Sequence, residues 1–390
     1  MSDGPPPGPN PEPIRIEPEP IRLTEEEVDR LMVWCVENDT SDITFQTNEP
    51  VWAEIHGRIT PITRRVLSPA EVIDVLNRLY GANGAAQIAS GKDIDVSYEI
   101  KQGRGKRYRF RVNGTGIMVD GADGVQITCR TMPEIPPDID EYGIEDGIMD
   151  NCAPRQGLVL VTGPTGSGKS TLLSGIIRKL AEEPDGNRKI LTYEAPIEFV
   201  YDEVVAPSSV VSQTEIPRHL PDFASGVRNA LRRKPMIILV GEARDPETMA
   251  AAAEASLTGH LVYSTVHANG VAETVRRMIS VFPADERQGR SIDLMESLRL
   301  IVTQILLRTV DGKRCACREF LPFTDDVRDK LLAMDVNDWP NATRQLIREE
   351  GQTMGQAAQV NFDKGLIDQR TLNMIKTREA AVEAMLKQGM

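Results

Sequence analysis

The densest chemistry in the chain lies between residues 157 and 171. Gly163-Pro164-Thr165-Gly166-Ser167-Gly168-Lys169-Ser170, followed by Thr171, fits the pattern G-x-x-x-x-G-K-[ST] without a mismatch. The apolar run Leu158 to Thr162 before it reads as a buried strand, and the residues from Lys169 onward read as a helix. That strand-loop-helix setting is the context such a loop requires. Its glycines let backbone N–H groups face phosphate oxygens at the positive end of the following helix. Lys169 then offers a point charge to the β- and γ-phosphates of a nucleotide, and the Ser170 hydroxyl is the expected ligand of Mg²⁺. The plainer alternative is a glycine-rich turn with no ligand, and the complete match in its proper setting disfavours it.

Other candidates sit at strand ends. Met236 to Val240 is an apolar strand that delivers Glu242 to its C-terminal edge, where ligands bind in open α/β sheets and a water could be oriented or deprotonated. Glu194 and Glu198 flank Pro196 at a second strand end, and His260 and His267 flank the strand Leu261 to Thr265. Either histidine could equally be a satisfied structural group. Lys106, Arg107, Arg109 and Arg111 follow Arg104, with Arg109 and Arg111 on one face of a strand and Arg130 at the end of the next. A strip of this kind is ordinarily a solvated face or an anion site. Its sharper reading is a set of arginines that touch phosphates held by another subunit.

The elements that must position these residues fall into two regions. A chain of 390 residues with 40% hydrophobic content suffices for two domains. Residues 1–20 are dense in proline and read as an extended tail without chemistry. Residues 21–134 alternate capped helices, from Thr24 and from Ser68-Pro69, with strand and hairpin segments, a mixed α+β domain. Three prolines between Thr131 and Asp138 mark a boundary near residue 135. From 135 to 390, strand-like and helical runs alternate, the signature of a parallel sheet with crossover helices, an α/β fold. From about 285 the chain reads as mostly helix, because Leu294, Leu298, Ile301, Val302, Ile305 and Leu306 keep helical spacing.

A net charge of −13 argues against direct nucleic-acid binding. The longest apolar runs are strand-length, so no transmembrane segment is expected, and the N-terminus carries no secretory pattern. The five cysteines lack zinc-ligand spacing and read as reduced thiols.

Four boxes in this order resemble the secretion ATPase superfamily: residues 163–170, Tyr193 to Phe199, Val240 to Asp245 and Thr258 to His267. They correspond to its Walker A, Asp, Walker B and His boxes. Ser41 to Pro50 with His56-Gly57-Arg58 resembles the PAS-like N-terminal domain of the pilus-retraction branch. Tyr193-Glu-Ala-Pro, Arg228 to Lys234 and Gly270 to Arg277 most resemble DotB/TraJ-type ATPases of type IVB secretion and conjugation systems. Ala195 departs from the Asp that pilus motors carry there. The resemblance implies a PAS-like domain followed by a RecA-like P-loop domain, assembled as a homohexamer that hydrolyses Mg-ATP. It implies inner-membrane secretion components as partners and a place at the cytoplasmic face of that membrane. Glu194 and Glu242 would polarise water, His267 would sense the γ-phosphate, and Arg109, Arg111 and Arg130 would contact phosphate at an interface. A pilus-retraction motor and a nucleotide-gated assembly factor are the alternatives.

Overall fold

The computed structural model describes residues 14–103, 105–133 and 135–387, with side chains up to residue 381. Arg104 and the first thirteen residues of the expected tail lie outside them. Two units divide the chain, one running up to residue 134 and taking in Ala195–Phe199, the other formed by Ile135–Glu194 and Val200 onward.

Helices of the first unit begin where side chains cap them. Thr24 accepts from the Glu27 N–H at the start of α1 (Glu25–Glu37), and three glutamates place negative charge on its first turn. A reciprocal capping box between Ser68 and Glu71, with Pro69 behind it, opens α2 (Pro69–Tyr80), and α3 (Gly84–Ala89) follows. The sheet comprises β1 (Thr40–Gln46), β2 (Trp52–Ile55), β3 (Arg58–Pro61), β4 (Ile94–Gln102), β5 (Lys106–Val119) and β6 (Ala122–Met132). Its order is β3-β2-β1-β6-β5-β4, and every neighbouring pair is antiparallel. Val28, Leu31, Val72 and Leu76 join Ile43, Phe45, Phe110 and Ile127 in one core. Residues 14–20 differ from a contact-free tail: Ile16 is fully buried there, and Glu19 accepts from the Arg64 and Arg65 N–H groups. The Ile16 N–H donates to the Ile62 carbonyl, and the Pro18 and Pro20 carbonyls accept from Arg30 and Arg65, so the segment is tied down despite its prolines.

In the second unit a 3-10 turn at Ile139–Tyr142 precedes α4 (Asp146–Met149), β7 (Gly157–Thr162), α5 (Lys169–Glu182), β8 (Lys189–Glu194) and β9 (Val210–Glu215). The unit continues through α6 (Phe223–Ala230), β10 (Ile237–Val240), α7 (Pro246–Leu257), β11 (Leu261–Val266), α8 (Val271–Ser280) and α9 (Arg287–Ser297). The strands β12 (Leu298–Arg308) and β13 (Arg314–Pro322) come next. Four helices follow: α10 (Asp325–Leu332), α11 (Trp339–Glu350), α12 (Met354–Asp363) and α13 (Gln369–Lys387). The sheet order is β13-β12-β7-β11-β10-β8-β9, parallel except for β13 at the edge. Strands β7, β10 and β11 are buried at every position, which is why they read as unbroken apolar runs.

The expected helix through Leu298, Ile301 and Leu306 is instead β12. Apolar residues occupy both of its faces, so the helical spacing is only a subset of a continuous run. Its β-branched residues Ile301, Val302, Thr303 and Ile305 favour the strand. The C-terminal region from about 285 is helical in α9 and again from α10 onward, with the hairpin of β12 and β13 between them.

Candidate functional site

Strand register brings the candidate residues to one edge. Thr162 at the end of β7 pairs with Val266 of β11, Val240 of β10 pairs with Ser264 of β11, and Tyr193 of β8 pairs with Val240. The next residues beyond these strands are the phosphate loop, His267 and Glu242, and Glu194 closes β8. All four therefore stand side by side at the C-terminal edge of a parallel sheet, where open α/β folds bind ligands.

The loop itself is tightly constrained. Gly163 has φ of +143°, and a Cβ there would lie 2.2 Å from the Gln304 carbonyl oxygen and 2.6 Å from Ser167 Oγ. Only glycine permits that approach. Lys169 opens α5, and its Nζ donates to the Gly163 and Pro164 carbonyls at 3.0 and 2.9 Å, so the ammonium lies inside the loop. Ser170 and Thr171 occupy the first turn of α5, whose positive end suits an anion. Ser167 Oγ is buried without a hydrogen-bond partner. Among the described residues no group of three or more His, Cys, Asp or Glu could hold a metal alone. A Mg²⁺ at Ser170 fits a site completed by phosphate oxygens.

Glu242 is held through its neighbours. The Gly241 N–H donates to the Tyr193 carbonyl at 2.7 Å, Thr265 Oγ1 donates to the Gly241 carbonyl at 2.6 Å, and the Ala243 N–H donates to the Thr265 carbonyl at 3.1 Å. The clamped backbone fixes where the carboxylate begins. His267 Nε2 stands 3.7 Å from Glu242 Oε1, and the exposed Arg244, which sequence reasoning passed over, approaches the other oxygen to 3.9 Å. Glu194 Oε1 accepts from Thr192 Oγ1 at 2.6 Å and from Gln213 Nε2 at 3.2 Å. His260 serves structure instead, with Nδ1 3.0 Å from the Ala255 carbonyl at the end of α7.

The arginines of the first unit differ from one another. Arg109 is only 3% exposed, and its guanidinium donates to the carbonyls of Pro133, Ile197 and Glu198. Its two terminal nitrogens are thus engaged by backbone, including the Ala195–Phe199 segment, and its Nε stands 3.7 Å from Glu99 Oε2. Arg111 forms a forked pair with Asp95 at 2.9 and 2.5 Å, and Arg130 donates to Asp42 at 2.9 Å. Both remain solvent-accessible.

Two further polar residues escaped sequence reasoning. Gln304 and Arg318 are each 4% exposed and bonded to one another beneath the loop. The available signal was a lone Gln in the apolar run Leu298 to Leu307.

A glycine-lined loop between a buried parallel strand and a helix, with carboxylates at the neighbouring strand ends, defines a RecA-like P-loop domain. The chain belongs to the Type II/IV secretion system protein family, whose model matches residues 21–381. A crystal structure of the Legionella pneumophila ATPase DotB is 52% identical, with a TM-score of 0.88 over 93% of this chain and 99% of that one. A structure of the pilus retraction motor PilT with bound ADP is 29% identical, with a TM-score of 0.75 over 88% of this chain and 95% of that one. A Neisseria gonorrhoeae twitching motility protein is 35% identical over 83% of this chain and 85% of its own length. Among the described residues no helix is long and apolar enough to cross a membrane.

Proposed function

We propose that the chain hydrolyses Mg-ATP as a homohexamer and powers a type IVB secretion or conjugative transfer apparatus at the cytoplasmic face of the inner membrane. The observation that carries the hydrolytic reading is the convergence of the phosphate loop, Glu242, Glu194 and His267 on one sheet edge. Backbone N–H groups and Lys169 bind the phosphates, and Ser170 would hold Mg²⁺, which supplies charge neutralisation on the β- and γ-oxygens. Glu242 orients or deprotonates the attacking water, Glu194 supports it from the next strand, and His267 senses the γ-phosphate. Arg111 and Arg130 contact the phosphates held by a neighbouring subunit, a role their exposure supports. The antiparallel order β3-β2-β1-β6-β5-β4 with flanking helices supports a PAS-like reading of the first unit.

High identity to a DotB over nearly its whole length, together with Ala195 in the Asp box, supports the type IVB branch. A pilus-retraction motor is the second reading, favoured by the twitching-motility and PilT relatives. Secretion-channel genes beside this gene would support the first, and pilin genes the second.

Lys169→Ala should abolish ATP hydrolysis with an unchanged circular dichroism spectrum. Glu242→Gln should still bind Mg-ATP while turning over about 10² to 10⁴ times more slowly. A folded Lys169→Ala protein that hydrolyses ATP at the parental rate would refute the assignment.

A further inference from the structure

Register explains how Gln304 reaches the phosphate loop. Thr303 of β12 pairs with Thr162, the last residue of β7, so Gln304 lies beside Gly163 as the loop begins. Its carbonyl lies where a Gly163 side chain would stand, and its amide nitrogen lies 2.8 Å from where a Gly168 Cβ would be. The loop is wrapped around this one residue.

The hydrogen bonds have a direction. Arg318 Nε is only a donor, and it lies 2.7 Å from Gln304 Oε1, so the other end of the amide is the NH₂ group. That NH₂ donates to the Ser167 carbonyl at 2.7 Å. In a trans peptide the C=O and the following N–H point in opposite directions. Pulling the Ser167 oxygen down onto Gln304 therefore turns the Gly168 N–H outward, toward the face where the loop meets phosphate. Arg318 is itself fixed by Glu145 Oε2 at 3.0 Å, and its own carbonyl accepts from Gln352 Nε2 at 3.0 Å.

We propose that Gln304 is a positioning residue for nucleotide binding, aiming the Gly168 N–H through the Ser167 carbonyl, and that Arg318 sets the orientation of its amide. The inference rests on the phosphate-loop reading above. Without Arg318 the amide can turn over, presenting an oxygen to the Ser167 oxygen and releasing the peptide. The pair acts before any chemical step, so its loss weakens ADP binding as well as ATP turnover.

The test uses the full chain and a fluorescent ADP, with affinity read by titration. Gln304→Glu keeps the side-chain shape and pairs with Arg318, so it folds, yet it sets an acceptor against the Ser167 carbonyl. Its affinity should fall by about three- to tenfold or more, the worth of one hydrogen bond and its reversal. Arg318→Met should fall similarly, and Gln304→Leu combined with Arg318→Met should lose no more than Gln304→Leu alone. Glu145→Gln removes the charge that pairs with Arg318 Nη1 but keeps the Arg318 Nε donor to Gln304, so it should lose clearly less affinity than Arg318→Met even if its melting temperature drops. Binding by Gln304→Glu within twofold of the parent overturns the proposal. Equal losses in Glu145→Gln and Arg318→Met overturn the role of Arg318. Lys169→Ala run alongside separates the two levels: if it too binds like the parent, the phosphate-loop reading itself has failed.

Discussion

Glu319 should make the second unit less stable as pH rises. Its Oε1 accepts from the Val271 N–H at 2.7 Å, at the start of α8, and its carboxyl is surrounded by protein beside a cavity of about 320 Å³ that Glu273 and Arg344 also line. Burial raises its pKa from 4.5 to about 7, with Glu273 adding to the rise and the Val271 N–H opposing it. A carboxyl that holds its proton longer in the folded chain than in the unfolded one makes the fold bind more protons between pH 4.5 and about 7. Stability therefore falls across that window and levels off above it. The full cost is about 3 kcal/mol, and residual contact with water trims it to about 2–3 kcal/mol. Glu319→Gln keeps an acceptor for Val271 and removes the titration. Urea unfolding of parent and variant from pH 5.5 to 8, followed in the nucleotide-free protein, should show curves that diverge, with the variant gaining as pH rises. Parallel curves would mean that the carboxyl is already ionised at pH 5.5 and that its burial carries no such cost.

Gly163→Ala must move either its own backbone, at φ of +143°, or the Gln304 carbonyl 2.2 Å from the new methyl, so it should lose measurable nucleotide binding while the first unit stays folded. Proteolysis protection by ADP reads this directly, and full protection would mean that the loop adapts. A double Arg111→Ala, Arg130→Ala variant should bind ATP but lose hydrolysis by about 10³-fold, with activity recovered on mixing with Lys169→Ala subunits. No recovery in mixed hexamers detected by native mass spectrometry would reassign both arginines to surface ion pairs.

The parts of this molecule legible in the sequence are those with a local cause. Thr24, Ser68 and Pro69 announce their helices because a cap acts within one turn, and the phosphate loop is a contiguous pattern. The strand Leu298–Arg308 was misread because burial on both faces erases the two-residue alternation that distinguishes strand from helix. The setting of Arg109 is illegible for another reason. Its strand position places it with Arg111, but its guanidinium is claimed by carbonyls roughly ninety residues away, a pairing no sequence window contains. Gln304 and Arg318 are invisible in the same way, since their significance depends on the pairing of β12 with β7.

A common device joins the strands to the groups they carry. Near the ends of these strands stands a threonine whose hydroxyl bonds the functional neighbourhood: Thr162 to Thr303 beneath the loop at 2.8 Å, Thr192 to the Glu194 carboxylate, and Thr265 to the Gly241 carbonyl before Glu242. Thr274 at the start of α8 adds a third hydroxyl to the first of these, 3.3 Å from Thr162 Oγ1. The choice has a physical basis. Threonine is β-branched and fits a buried strand as valine does, yet it carries one hydroxyl at the point where the apolar sheet gives way to a polar edge. A buried hydroxyl left unpaired is costly, and each of these three ties its strand to its neighbour or to the side chain beyond. The edge that carries the candidate residues is thereby tied to the sheet beneath it by hydroxyls placed at the strand ends.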